Sequence, residues 1–106
     1  MKKILLSRNW NEKLCCDAFL VIRPSSSGYT TGDKIELDVQ LTKCIVTYLY
    51  YIVSSEYYIN LKDIPESIFY ADCGLSKHEA SKNYLNFYKQ DKGWNVLVLE
   101  RVKNNN

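Results

Sequence analysis

The stretch KIELDVQL, Lys34 to Leu41, sets Ile35, Leu37, Val39 and Leu41 against charged or polar neighbours. A period of two gathers all four apolar side chains on one face of an extended chain, which a helix of 3.6 residues per turn does not do. The chain is thereby committed to a sheet with one buried face and one wet face. Gly32-Asp33 supplies the turn that starts this strand, and CIVTYLYYIVSSEYYIN after it is rich in β-branched and aromatic residues. That second run predicts one long bent strand or two short ones, with Ser54-Ser55 as the break.

Other elements follow from local signals. Met1 to Ser7 reads as a first strand buried on both faces through Ile4, Leu5 and Leu6, and Phe19 to Arg23 as a second that ends at Pro24. RNWNEKLCCD between them reads as a polar connection with a short helical turn, pinned by Trp10 and Leu14 at i,i+4. Pro65 suits the start of a short helix and Gly74 its end. Ser76 and Glu79 form a capping box for a second helix carrying Ala80, Tyr84, Phe87 and Tyr88 at helical spacing. Gly93 turns the chain into a last strand, WNVLVLERV. The sum is an α+β fold dominated by β-structure: five or six mostly antiparallel strands curled into a small barrel, which removes exposed edges, with two helices at its edge or end.

A chain of 106 residues has room for one core. A single domain over 1–103 is expected, with 104–106 as a disordered tail. A net charge of +2 is too small to draw nucleic acid by long-range attraction alone, though a local patch can. The four cysteines, Cys15, Cys16, Cys44 and Cys73, lack zinc-site spacing, and the apolar run in KKILL is too short for a leader or a membrane span. Reduced thiols in a cytoplasm are expected, with no metal, no cofactor and no membrane partner. His78, in the first turn of the capped helix, supports neither a Ser-His-Asp nor a Cys-His arrangement.

Arg23 lies on one strand face with Phe19 and Val21, so its five-donor fork emerges between apolar walls and suits a phosphate, a carboxylate or a base edge. The alternative is structural: Arg23 pairs with an acid such as Asp72 or Glu36 and closes the barrel mouth. Ser25, Ser26, Ser27 and Gly28 form a loop whose hydroxyls and amides suit phosphates, with Tyr29 beside it as a stacking platform. Arg8, Trp10, Asn11 and Lys13 mix cations, a ring and an amide, as single-stranded nucleic-acid sites do. Nine tyrosines are unusual for this length, and Tyr48, Tyr50, Tyr51, Tyr57 and Tyr58 offer a surface for a protein partner.

In order and spacing, RNWNEKL, VIRP, YTTGDKIEL and ADCGLSKHEASKNYLNFY resemble an ASCH domain of the PUA-like superfamily over nearly the whole chain. The resemblance implies a small β-barrel that binds RNA or other nucleic acid in a cleft between barrel and helices. Some similar bacterial members are enzymes, an amidohydrolase of acetylated cytidine and ribonucleases among them. Laid on Arg23, the family signature G-x-K-x-x-E/T-x-R puts its glycine at Cys16, its lysine at Ala18 and its glutamate or threonine at Val21. Ala18 and Val21 carry no group that moves a proton, which argues against catalysis by those positions. Asp72 falls near the amidohydrolase's acidic residue, and Lys13 approaches the cleft from the preceding turn, so those two are the alternative catalytic pair. A third reading is a protein-interaction module of phage or mobile-element origin that kept the barrel and lost the chemistry.

Overall fold

Alternation decides which side of the sheet is dry. On β3, Lys34–Gln40, the residues Ile35, Leu37 and Val39 are all fully buried while their neighbours face water or lie half-covered. They meet Ile4 and Leu6 of β1 (Lys3–Leu6), Val21 of β2 (Ala18–Pro24), Tyr50 and Ile52 of β4 (Ile45–Tyr58), and Leu97 and Leu99 of β5 (Trp94–Arg101) in one inner core. The molecule is seen as a computed structural model that describes residues 2–6, 10–25, 28–88 and 93–103, the side chains of 10–12 and 86–88 lying outside that description. The 104–106 tail also lies outside it.

The sheet runs β1-β3-β4-β5-β2, every neighbouring pair antiparallel except β1 beside β3. It is a five-stranded mixed sheet curled into a half-barrel, with two helices, and the fold is α+β. The closed barrel expected from the sequence is therefore left open, since no β1–β2 ladder joins the two edges among the described residues. β1 is one of those edges, which corrects its expected double burial: Ile4 and Leu6 point inward and Leu5 stays 54% exposed. Leu41 lies beyond the end of β3 and is exposed as well.

β4 is one continuous strand and is not broken at Ser54-Ser55. Ile52 pairs with Leu99 and Ser54 with Val98, so Val53 is an extra residue, and the resulting bulge bends the strand without ending it. A second core covers the outer face of the β5–β2 end. There Ile22, Trp94 and Val96 meet Leu61, Ile64, Phe69 and Ala80 from the 3-10 turn Leu61–Asp63 and the two helices. Tyr84 stands edge-on to Trp94 at 6.0 Å.

The helices are α1, Glu66–Cys73, and α2, Lys77–Tyr88. Pro65 precedes α1, and Gly74 ends it in the left-handed region at φ 75°, its N–H donating to the Tyr70 carbonyl. Ser76 caps α2 as expected, its Oγ accepting from the Glu79 N–H at 3.3 Å. Phe87 and Tyr88, expected on the apolar side of α2, have side chains outside the described set.

Candidate functional site

An open half-barrel leaves backbone groups of β1 and β2 without a ladder partner, and polar side chains gather at that seam. The chain between the two edges forms a 3-10 turn, Trp10–Cys15, and α1 packs against both this turn and β2. Lys13 comes from the turn, Arg23 from the end of β2 and Asp72 from the last turn of α1. These three are the buried charged residues of the described chain, at 2%, 8% and 3% exposure. Among the described residues the seam is thus the one place where charge is taken out of water.

Lys13 Nζ donates to Asp72 Oδ1 in a buried ion pair. Asp72 Oδ2 is buried too and has no hydrogen-bond partner among the described residues. Burial pushes the Asp72 carboxyl above the ordinary carboxylate range, against the pull of Lys13, Arg23 and the Ile22 amide. Burial likewise pushes the Lys13 ammonium below the ordinary lysine value; Asp72 opposes that shift and the like charge of Arg23 adds to it. Burial drives both groups toward their neutral forms, which suits a pair that exchanges a proton. Cys73 next to Asp72 donates its thiol to the Phe69 carbonyl, and burial raises its pKa, so it is held as a thiol.

Arg23 is inside the seam and does not project from it. Its Nη1 donates to the Ile22 carbonyl at 2.7 Å and its Nη2 to the Leu5 carbonyl of β1 at 3.0 Å. The guanidinium thus spans the two sheet edges, which corrects the expectation of an outward fork. Of the acids expected as structural partners, Asp72 is near enough to feel the charge of Arg23, whereas Glu36 is engaged by Lys3 at 3.6 Å.

The remaining expected contact residues are described only in part. Arg8, Ser26 and Ser27 lie outside the described residues, as do the side chains of Trp10 and Asn11. Ser25 is half-buried, its N–H donating to the Gly93 carbonyl at 3.1 Å. Tyr29 packs against the inner core with the Lys2 ammonium 5.9 Å from its ring centre, so it is a packed ring and not an open platform. The tyrosine run is divided by strand alternation: Tyr50 is core, Tyr48 and Tyr58 are half-buried, and Tyr51 and Tyr57 are exposed. It makes no single contact patch. His78 is exposed.

Arg101 was not among the expected site residues, yet it holds the floor of the seam. Its Nη2 donates to the Leu14 carbonyl at 2.8 Å, fixing the turn that carries Lys13, and its Nε and Nη2 reach the Tyr50 hydroxyl at 3.3 and 3.2 Å. Tyr50 meets Phe19 edge-on at 5.1 Å, and Lys13 Nζ sits 5.7 Å from the Phe19 ring centre. The available signal was Tyr50 itself: a tyrosine at an inward position brings a hydroxyl that needs a partner.

All four cysteines are free thiols, and among the described residues no group of three or more His, Cys, Asp or Glu side chains could hold a metal ion. No helix among them is long and apolar enough to cross a membrane. No family model matches the chain, and a search of curated proteins gives no match. Among solved structures, the crystal structure of hypothetical protein PH0355 is similar, with a TM-score of 0.64 at 18% sequence identity, over 96% of this chain and 100% of that one. At that identity the likeness establishes a shared fold over nearly all of this chain.

Proposed function

We propose that this chain is an ASCH-type, PUA-like domain that hydrolyses an amide on a modified nucleoside, with Lys13 and Asp72 moving the protons. Acetylated cytidine is the substrate class that the sequence resemblance implies. The reading is carried by one observation: a lysine and an aspartate 59 residues apart meet in a buried pair, with one carboxylate oxygen unsatisfied and Arg23 alongside. The signature lysine and threonine or glutamate are absent at Ala18 and Val21, and Lys13 brings an amine to the same seam from the preceding turn.

In this scheme the ion pair passes its proton from Lys13 to Asp72 when substrate is bound, which leaves Lys13 as a free amine. Lys13 takes a proton from water as its oxygen attacks the amide carbonyl, and the positive charge of Arg23 favours the oxyanion that forms. Collapse breaks the C–N bond, and the carboxyl of Asp72 gives its proton to the departing nitrogen. A carboxylic acid and the exocyclic amine are released, and the Lys13 ammonium and Asp72 carboxylate are again the ion pair.

The test is turnover of acetylated cytidine, followed by chromatography and mass spectrometry, for the wild-type chain, Asp72→Asn and Lys13→Met, with folding checked by circular dichroism. Release of cytidine by the wild type and its loss in both folded variants is the expected result. No release by the wild type ends the catalytic reading. Retention of RNA by that inactive protein would leave the nucleic-acid-binding domain that the resemblance also implies.

A further inference from the structure

The helices cover only part of the outer face of the sheet. They close over Ile22, Trp94 and Val96 at one end of β2 and β5, while along β4 the same face presents Ile45, Leu49, Tyr51 and Val53, all four exposed. Half-buried Leu20 and Val98 join the two parts. Soluble monomers rarely leave an apolar strip of this length open, since Ile45 to Val53 spans about 26 Å at the rise of a strand. The charges flanking the strip follow the register. Lys34 on β3 and Glu100 on β5 both pair with Tyr51, so one rung of the sheet reads cation, ring, anion. Lys34 Nζ stands 5.5 Å from the Tyr51 ring centre, and neither Lys34 nor Glu100 is in an ion pair among the described residues. Their strands lie about 10 Å apart with the ring between them.

We propose that this face joins two copies of the chain in a twofold dimer whose axis runs along β4 past Tyr51. Rotation about that axis exchanges the β3 side with the β5 side, so Lys34 of each copy meets Glu100 of the other. Leu49, Tyr51 and Val53 then meet their own counterparts and leave water. An axis across the strands would instead set Lys34 on Lys34 and Glu100 on Glu100, which like-charge repulsion disfavours. The rung therefore selects the orientation as well as the partner. Two sheets packed face to face keep their strands within about 30° of each other, which an axis along β4 satisfies. None of Lys34, Tyr51 and Glu100 belongs to the seam, so the dimer is independent of the proposed hydrolysis.

The test is sedimentation velocity of the full chain over a concentration series, with circular dichroism to check the fold of each variant. The wild type is expected to approach twice 12.4 kDa as concentration rises. Lys34→Glu and Glu100→Lys, both at exposed positions, each place like charges together twice across the axis, and each is expected to raise the dissociation constant about tenfold or more. The double variant restores both pairs in the reversed sense at the wild-type net charge, and recovers the dimer. Mixing the two single variants tests the same pairing without the double variant, since each chain supplies the charges that the other needs. A monomer at every concentration overturns the second copy as occupant and leaves the face to a different partner. A dimer unmoved by either single reversal overturns this face as the contact. Failure of both the folded double variant and the mixture to recover the dimer overturns the twofold register.

Discussion

Replacing the seam pair one member at a time and then together separates a charge that the fold tolerates from one that stabilises it. Lys13→Met removes the ammonium that donates to Asp72 Oδ1, and Oδ2 has no hydrogen-bond partner among the described residues, so the buried carboxylate is left with the Ile22 amide and the nearby charge of Arg23. Breaking one side of a buried ion pair costs about 3–5 kcal/mol, a large part of the roughly 5–15 kcal/mol that holds a domain together. Replacing both members by apolar side chains, as in Lys13→Met with Asp72→Leu, removes both desolvation costs at once. The double variant is expected to match the wild type or to exceed it by about 1–4 kcal/mol.

The pH dependence of the single variants has opposite signs. In Lys13→Met the Asp72 carboxyl, already raised by burial, loses its main opposing attraction and rises further. Its native pKa then lies above the unfolded value of 3.8, so between the two the native state keeps a proton that the unfolded chain has released. Stability falls across that window by up to about 1.4 kcal/mol per pH unit, and the variant recovers toward acid. In Asp72→Asn the Lys13 ammonium faces burial and Arg23 with no carboxylate, so its pKa drops further below the unfolded 10.5. There the unfolded chain binds the extra proton, and stability recovers toward alkaline pH. Urea unfolding followed by circular dichroism at several pH values measures all of this. Single variants that lose under about 1 kcal/mol at pH 7, or a double variant whose loss equals the sum of the singles, would refute the argument.

Two further predictions concern the frame around the pair. Gly93 has φ +113°, and a Cβ there would lie 2.4 Å from the Tyr57 hydroxyl oxygen and 2.5 Å from its ring, so Gly93→Ala is expected to cost about 1–3 kcal/mol in backbone strain plus the clash. Adding Tyr57→Ser should recover the steric part and leave the backbone part, as read by the shift in urea midpoint. Arg23→Met removes the bond to the Leu5 carbonyl, which spans the seam, together with the local one to Ile22 on the same strand, each charge-assisted bond contributing about 1.5–3 kcal/mol. Hydrogen exchange should then quicken in β1 and β2 before β3 and β4, and uniform quickening across the sheet would argue against a local clasp.

What could be read from the sequence was whatever has a local cause. The alternation of Ile35, Leu37 and Val39 fixed the inner face of β3, Pro65 and Gly74 bracketed α1, and Ser76 with Glu79 marked the start of α2. Quantities that depend on which strand lies at an edge were not local. Leu5 is exposed because β1 pairs on one side only, and the Val53 bulge arises from a register shift against β5 that no residue in β4 announces. Lys13 and Asp72 were separately visible as candidates. Their meeting across 59 residues, and the reach of Arg101 to the Leu14 carbonyl, required the topology.

The fate of Arg23 shows why the seam and the candidate site coincide. In a closed barrel the β1 and β2 edges would satisfy each other's backbone, and a guanidinium at the strand end would have only the outside to address. Here the sheet stops short of closure, so the Leu5 carbonyl is left for Arg23 to bind, and α1 and the 3-10 turn cover what remains of the gap. Covering an edge with a helix brings the helix's last turn, and with it Asp72, into a space too dry for an unpaired charge. Lys13 compensates Oδ1 and leaves Oδ2 unanswered, which a purely structural plug of apolar residues would not do. The incomplete sheet therefore accounts both for the electrostatic cost carried by the fold and for the one buried ion pair among the described residues.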